Sequence, residues 1–156
     1  MRRGESATSA SESLTCVDAS VVAKWLVDEI DSARSFLLYE RIAESGGIFV
    51  APEYLLAEVS SAIYKRVRLG SLSLDDALPL IDEAQALAVM IMSPSGIHRR
   101  AFEIAAQFGL KWIYDAFYVA LAEIVGCDLW TADEALHAAV SGAHTNVHLL
   151  AEYPLD

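Results

Sequence analysis

The sequence has only two cysteines, Cys16 and Cys127, and no uninterrupted apolar stretch of the ~18 residues that a membrane span needs. Two cysteines in a chain of 156 residues exclude a disulfide framework and a cysteine-rich zinc site. Each lies beside an apolar run, so we expect two buried, reduced thiols in a cytoplasmic protein. The first residues lack the apolar segment of a secretory signal, and we expect neither export nor membrane insertion.

Basic residues are also scarce, because 11 Lys and Arg stand against 22 Asp and Glu, for a net charge of −11. This balance excludes broad electrostatic adhesion to nucleic acid. The negative charge is still compatible with a small basic patch that contacts phosphate, and it would attract a basic segment of a partner. The densest basic cluster is Lys65, Arg66 and Arg68. The same cluster also fits a helix C-terminus before Gly70, where positive charge is favourable.

What the sequence has is a regular alternation of short apolar runs with helical periodicity, in the order β-α-α-β-α-α-β-α-α-β-α-β. Alternation of this kind predicts an α/β fold in which helices cover both faces of a mainly parallel sheet of four to five strands. Residues 14–156 are predicted to form one domain. Residues 1–13, rich in Ser, Ala and Glu, are predicted to be a flexible tail.

Four acidic residues occupy element ends: Asp18 after the first strand, Glu58 early in a helix, Asp115 at a helix start and Asp133 after a late strand. Alone, either of the strand-end Asp residues fits a helix N-cap, and Glu58 fits a solvated helix face. Together they are expected to meet at one edge of a parallel sheet. Crowded carboxylates repel one another unless a cation is bound, and oxygen-only ligands suit Mg²⁺ or Mn²⁺.

Four segments carry a resemblance to a known family: VDAS at 17–20, PEYLLAEVSSAIYK at 52–65, YDAFYVALAE at 114–123 and LWTADEAL at 129–136. They resemble the motifs of PIN-domain ribonucleases, above all the VapC toxins of bacterial toxin–antitoxin pairs. The resemblance implies a three-layer α/β/α fold.

The resemblance also implies roles for individual residues. Asp18 and Asp115 would be the principal metal ligands, and Glu58 and Asp133 would complete the site. The hydroxyls of Ser20 and Thr131 would support it. Ser61 stands where many members have Asn, which puts the geometry around the site in question. The RNA-contact candidates are Lys65, Arg66 and Arg68.

The implied function is an Mg²⁺-dependent endoribonuclease, restrained by a cognate antitoxin and assembled as a homodimer through apolar helices between Phe36 and Leu87. One alternative is a catalytically silent module that binds a protein partner through the acidic groove. A receiver-like phosphoacceptor domain is a weaker alternative, because the chain lacks the paired acidic residues after the first strand and the Lys on a late strand.

Overall fold

A computed structural model describes residues 12–156. Residues 1–11, and with them nearly all of the predicted tail, lie outside this part. The described chain forms the strands β1 (Leu14–Val17), β2 (Ile48–Ala51), β3 (Val89–Ile91), β4 (Asp128–Thr131) and β5 (Val147–Leu149). Its helices are α1 (Ala19–Leu26), α2 (Ser32–Glu44), α3 (Leu55–Arg68), α4 (Leu74–Ala86), α5 (Ile97–Phe108), α6 (Ile113–Val125) and α7 (Glu134–Val140). A short 3₁₀ turn, Leu150–Glu152, follows β5.

The five strands form one sheet in the order β3-β2-β1-β4-β5, and every neighbouring pair is parallel. The first strand, β1, lies in the middle of the sheet, and β2 and β3 follow on one side of it. The chain then returns to the other side of β1, where β4 and β5 are added. Right-handed crossovers therefore place the helices of the two halves on opposite faces. Accordingly α1 packs on α2 and α3, while α5 packs on α6. The predicted three-layer α/β/α fold is confirmed.

The core is centred on β1 and α6. Cys16 and Val17 of β1 are fully buried, and residues 116–122 of α6 are all buried. Alanines at 116, 120 and 122 let this helix lie close to β1 and β4. None of the helices formed by residues 12–156 combines the length and the apolar character of a membrane span.

Local details differ from the sequence expectations. Proline is favoured in the first turn of a helix, so the sequence predicts that Pro52 opens the third helix. In the structure α3 begins at Leu55, whose N–H donates to the Pro52 carbonyl at 3.1 Å in a preceding turn. The three- and four-residue spacing also predicts a buried stripe of Leu56, Val59, Ile63 and Val67, but Leu55 is buried with Val59 and Ile63, while Leu56 is exposed. Both cysteines are free thiols as expected, but only Cys16 is buried and the other is half-buried.

Candidate active site

Asp18 lies at the centre of the site, on the first residue after β1. It is only 4% exposed. It occupies the N-cap position of α1 without making a side-chain capping bond. Its Oδ2 instead accepts hydrogen bonds from the hydroxyls of Thr131, at 2.6 Å, and Ser20, at 2.9 Å. Its carboxylate is therefore oriented by two hydroxyls, as expected for a functional group rather than a helix cap.

The two hydroxyls also join the ends of β1 and β4. Ser20 Oγ accepts from the Ala132 N–H at 2.9 Å, and Thr131 Oγ1 accepts from the Asp133 N–H at 3.0 Å. The backbone continues the link, since the Asp18 N–H donates to the Trp130 carbonyl at 3.0 Å. This network places Asp133 beside Asp18.

Asp133 combines both roles that its sequence position suggested. It is the N-cap of α7, and its Oδ1 accepts from the Leu136 N–H at 3.0 Å. A carboxylate has a second oxygen, which this capping bond does not use. The capping role is therefore compatible with a place in the acidic site.

Glu58 approaches the site from α3 and has a partner that sequence reasoning missed. The fully buried Tyr118 of α6 donates its hydroxyl to Glu58 Oε2 at 2.8 Å. A signal was present, because Tyr118 lies three residues after Asp115 and so shares its helix face. Nothing in the sequence pairs it with a glutamate 60 positions away.

Electrostatic interactions couple the four carboxylates to one another. Burial, reinforced by the negative charges of Asp18 and Asp115, raises the pKa of Glu58 to about 7. Burial, with the charges of Asp18 and Asp133, raises the pKa of Asp115 to about 6. Burial also raises the pKa of Asp18, with a smaller contribution from Asp133, and the hydroxyl hydrogen bonds oppose the rise.

The chemistry of this donor set fits a hard divalent cation. All four side chains offer oxygen only, and a cation would relieve the repulsion that adds to burial in raising the pKa values of Asp18, Glu58 and Asp115. As the side chains stand, no group of three or more His, Cys, Asp or Glu within residues 12–156 is arranged to hold a metal ion. Asp18, Glu58 and Asp133 are instead engaged in the hydrogen bonds described above.

The remaining predicted residues lie farther along α3. Ser61 is one turn beyond Glu58 and is exposed. Lys65 and Arg68 are exposed near the C-terminal end of α3, roughly 10–15 Å along the axis from Glu58. Arg66 forms an ion pair with Glu29. The basic cluster is thus separate from the acidic cluster, and its contact with RNA stays a prediction.

Together, the fold and site define an α/β protein whose acidic cluster lies where the strand order reverses, between β1 and β4. Open α/β sheets bind their ligands at this point. Residues 15–141 match the PIN domain family. The chain belongs to this family and is a VapC-like member of it.

Relatives support the assignment. Ribonuclease VapC3 of Pyrobaculum aerophilum is 32% identical over 122 residues, which cover 77% of this chain and 89% of that protein. Ribonuclease VapC9 of Mycobacterium tuberculosis is 31% identical over 117 residues, covering 75% and 84%.

Solved structures share the fold. VapC20 of Mycobacterium tuberculosis, described as a sarcin–ricin loop cleaving toxin, has a TM-score of 0.62 at 15% identity, covering 81% of this chain and 95% of that one. PAE2754 from Pyrobaculum aerophilum has a TM-score of 0.60 at 22% identity, covering 85% and 90%.

Proposed function

We propose that this protein is a ribonuclease that hydrolyses RNA phosphodiester bonds internally, with Mg²⁺ or Mn²⁺ as cofactor. The observation that carries the proposal is that Asp18, Glu58, Asp115 and Asp133 lie at the switch point of the sheet, where burial and neighbouring negative charge raise the pKa values of Asp18, Glu58 and Asp115. Membership of the VapC-like PIN family supports RNA as the substrate.

In this proposal Asp18 and Asp115 hold the cation, and Glu58 and Asp133 complete its surroundings. When bound, the cation supplies positive charge that stabilises the negative charge developing on the phosphate.

Hydrogen bonds from neighbouring side chains orient the carboxylates of the site. Ser20 and Thr131 fix the Asp18 carboxylate through their hydroxyls, and Tyr118 fixes Glu58. The buried Asp18 has little freedom to turn, so it is a preorganised ligand.

The test is an add-back assay with purified protein stripped of metal by EDTA. Total RNA should remain intact in EDTA and should be cut to discrete fragments when Mg²⁺ or Mn²⁺ is restored, but not when Ca²⁺ is supplied. Equal cleavage with and without divalent cation would show that a different chemistry, or a contaminating nuclease, is responsible.

A second candidate is a catalytically silent module that binds a protein partner through the acidic groove. The observation favouring it is that three of the four carboxylates already accept hydrogen bonds from protein donors. It predicts that no RNA is cut under any cation. The add-back assay therefore separates the two candidates.

We also propose that the ribonuclease is the toxin of a toxin–antitoxin pair and acts as a homodimer. The net charge of −11 suits a partner that presents a basic segment to the acidic groove. Induced expression should arrest growth, and co-expression of an antitoxin gene from the neighbouring reading frame should restore growth.

The homodimer is tested by light scattering, which should give about twice the 16.9 kDa chain mass. A monomer would refute the dimer.

A further inference from the structure

Trp112 occupies a position that local helix chemistry does not favour. It is the N-cap of α6, with extended backbone angles of φ −127° and ψ 130°, and makes no capping hydrogen bond. Ser, Thr, Asp and Asn are preferred there because their side chains bond to a free N–H of the first turn. The indole is instead 57% exposed to solvent. Departures from local rules of this kind concentrate at functional sites.

The residue before it adds a positive charge. The Lys111 ammonium lies 5.2 Å from the centroid of the Trp112 ring. The ammonium lies over one face of the ring, so a base stacks on the opposite face while the cation contacts the negative phosphate of the nucleotide. Neither residue belongs to the acidic cluster, yet Trp112 is only three positions before Asp115.

A second exposed aromatic lies two residues after Trp112, on the side of α6 that approaches α3. Tyr114, immediately before Asp115, is 46% exposed. Its ring packs edge-on against Tyr54 with centroids 5.2 Å apart. Tyr54 lies at the start of α3, four residues before Glu58. The two tyrosines therefore bridge the helices that carry Glu58 and Asp115, beside the place where a phosphodiester would be cut.

Charge provides an independent reason to look for non-ionic contacts. Several cations of the described chain are already paired, Lys24 and Arg66 with Glu29 and Arg100 with Glu123. With a net charge of −11, phosphate contacts alone give such a protein little affinity for RNA. Stacking of bases on aromatic rings supplies affinity without needing positive charge.

We propose that Trp112 and Tyr114 form a stacking surface for unpaired bases of single-stranded RNA, with Lys111 contacting a phosphate. The inference rests on the proposed function, since it places the bases next to the bond to be cut. The faces of paired bases are covered within a duplex, so the surface selects single-stranded segments and loops.

Binding is tested in EDTA, so that no cleavage is required. The probes are a 12-nucleotide single-stranded RNA and the same strand annealed to its complement. Trp25 is buried and Trp130 is half-buried, so iodide-quenchable emission comes mainly from Trp112. The single strand should shield this emission from iodide and the duplex should not. Shielding by both forms alike, or by neither while the RNA is bound, would overturn the proposal.

The Trp112→Ser variant separates binding from structural support. Serine supplies the capping hydroxyl that tryptophan lacks, so the melting temperature should stay level or rise. Affinity for the single strand should fall roughly 5- to 150-fold, which is the range measured for loss of one stacked base. A lower melting temperature with unchanged affinity would show that Trp112 supports the fold and does not bind RNA.

Tyr114→Ala should weaken binding in the same way, and Tyr114→Phe, which keeps the ring, should restore it. Ile124→Ala is the matched control, because Ile124 lies at the opposite end of α6 from Trp112, is 41% exposed and should leave RNA affinity unchanged. If Trp112→Ser converts a dimer into a monomer with RNA affinity intact, the surface joins two copies of the chain and the proposal is wrong.

The two proposals fail separately. Aromatic-dependent binding of single strands without any cation-dependent cleavage would refute the ribonuclease and leave the stacking surface standing. Normal cleavage by Trp112→Ser and Tyr114→Ala, with unchanged KM, would refute the stacking surface alone.

Discussion

Glu58 and Tyr118 illustrate how a single contact can organise an active-site carboxylate. The tyrosine is fully buried and its hydroxyl donates to Glu58. Glu58 is itself half-buried, so this bond holds the carboxylate in one orientation where it could otherwise turn toward water. Tyr118 therefore acts as a positioning residue, since it orients a proposed metal ligand without approaching the substrate itself.

Replacing Tyr118 with Phe keeps the ring and removes the donor. We expect the free energy of unfolding to fall by about 1 kcal/mol, the usual net contribution of one hydrogen bond, because the half-buried Glu58 can bond to water instead. Titration calorimetry with Mn²⁺ provides the second measurement, in which the variant should bind more weakly because Glu58 is no longer oriented. Unchanged Mn²⁺ affinity in a destabilised variant would restrict Tyr118 to a structural role.

The raised carboxyl pKa values predict an unusual pH dependence for the metal-free protein. In the folded chain the pKa is about 7 for Glu58 and about 6 for Asp115, whereas both are about 4 in an unfolded chain. The folded state thus holds these protons more tightly. This contribution to stability is fully present below pH ~4 and is lost as the pH rises through about 6 and 7.

We therefore expect the melting temperature in EDTA to fall between pH 5 and pH 8 by calorimetry. Glu58→Gln should flatten the curve, because the amide does not ionise. Mg²⁺ should restore stability most at pH 8, where the carboxylates are charged. A melting temperature that rises across this interval would contradict the conclusion that burial and mutual repulsion raise these pKa values.

At the scale of elements, α4 contains a proline in its interior, where proline is normally unfavourable. Pro79 is the sixth residue of Leu74–Ala86, so it removes the hydrogen bond to the Asp75 carbonyl and crowds that turn. The helix is still well capped, since Ser73 Oγ accepts from the Asp76 N–H at 3.0 Å. The cap and the packing of α4 on α3 keep the helix in place.

Because Pro79 is exposed, its replacement tests backbone chemistry alone. Pro79→Ala should raise the free energy of unfolding by about 1–3 kcal/mol, measured by urea denaturation, since a helix-interior proline costs up to roughly 3 kcal/mol. Activity should not change, because α4 carries none of the four carboxylates. A loss of stability would mean that the proline ring packs against a neighbour.

At the scale of the whole molecule, the features that could be predicted are those that depend on nearby residues in the sequence. Strand and helix order was predictable because each element carries its own periodicity and its own stop, such as Gly126 after α6 at φ +71°. The nearness of the four acidic residues was predictable because they lie at or near element ends, and parallel sheets bring such ends together; their role as metal ligands stays a prediction. The family resemblance made the choice specific.

Other features were not predictable, because they depend on contacts between distant segments. The bond from Tyr118 to Glu58 joins α6 to α3, and the choice of Leu55 over Leu56 for the core depends on the turn after Pro52. The packing of Tyr54 against Tyr114 likewise depends on how α3 and α6 are placed relative to each other. Sequence patterns place residues on faces, but they do not say which faces meet.

The most direct test of the central claim compares RNA cleavage by the wild type, Asp115→Asn and Asp82→Asn in Mg²⁺. Asp82 lies on the exposed side of α4 and is the matched control for loss of one charge. With folding verified by circular dichroism, Asp115→Asn should lose at least ~100-fold in cleavage rate, a barrier increase of about 3 kcal/mol, and Asp82→Asn should match the wild type. Equal cleavage by all three proteins would contradict the account.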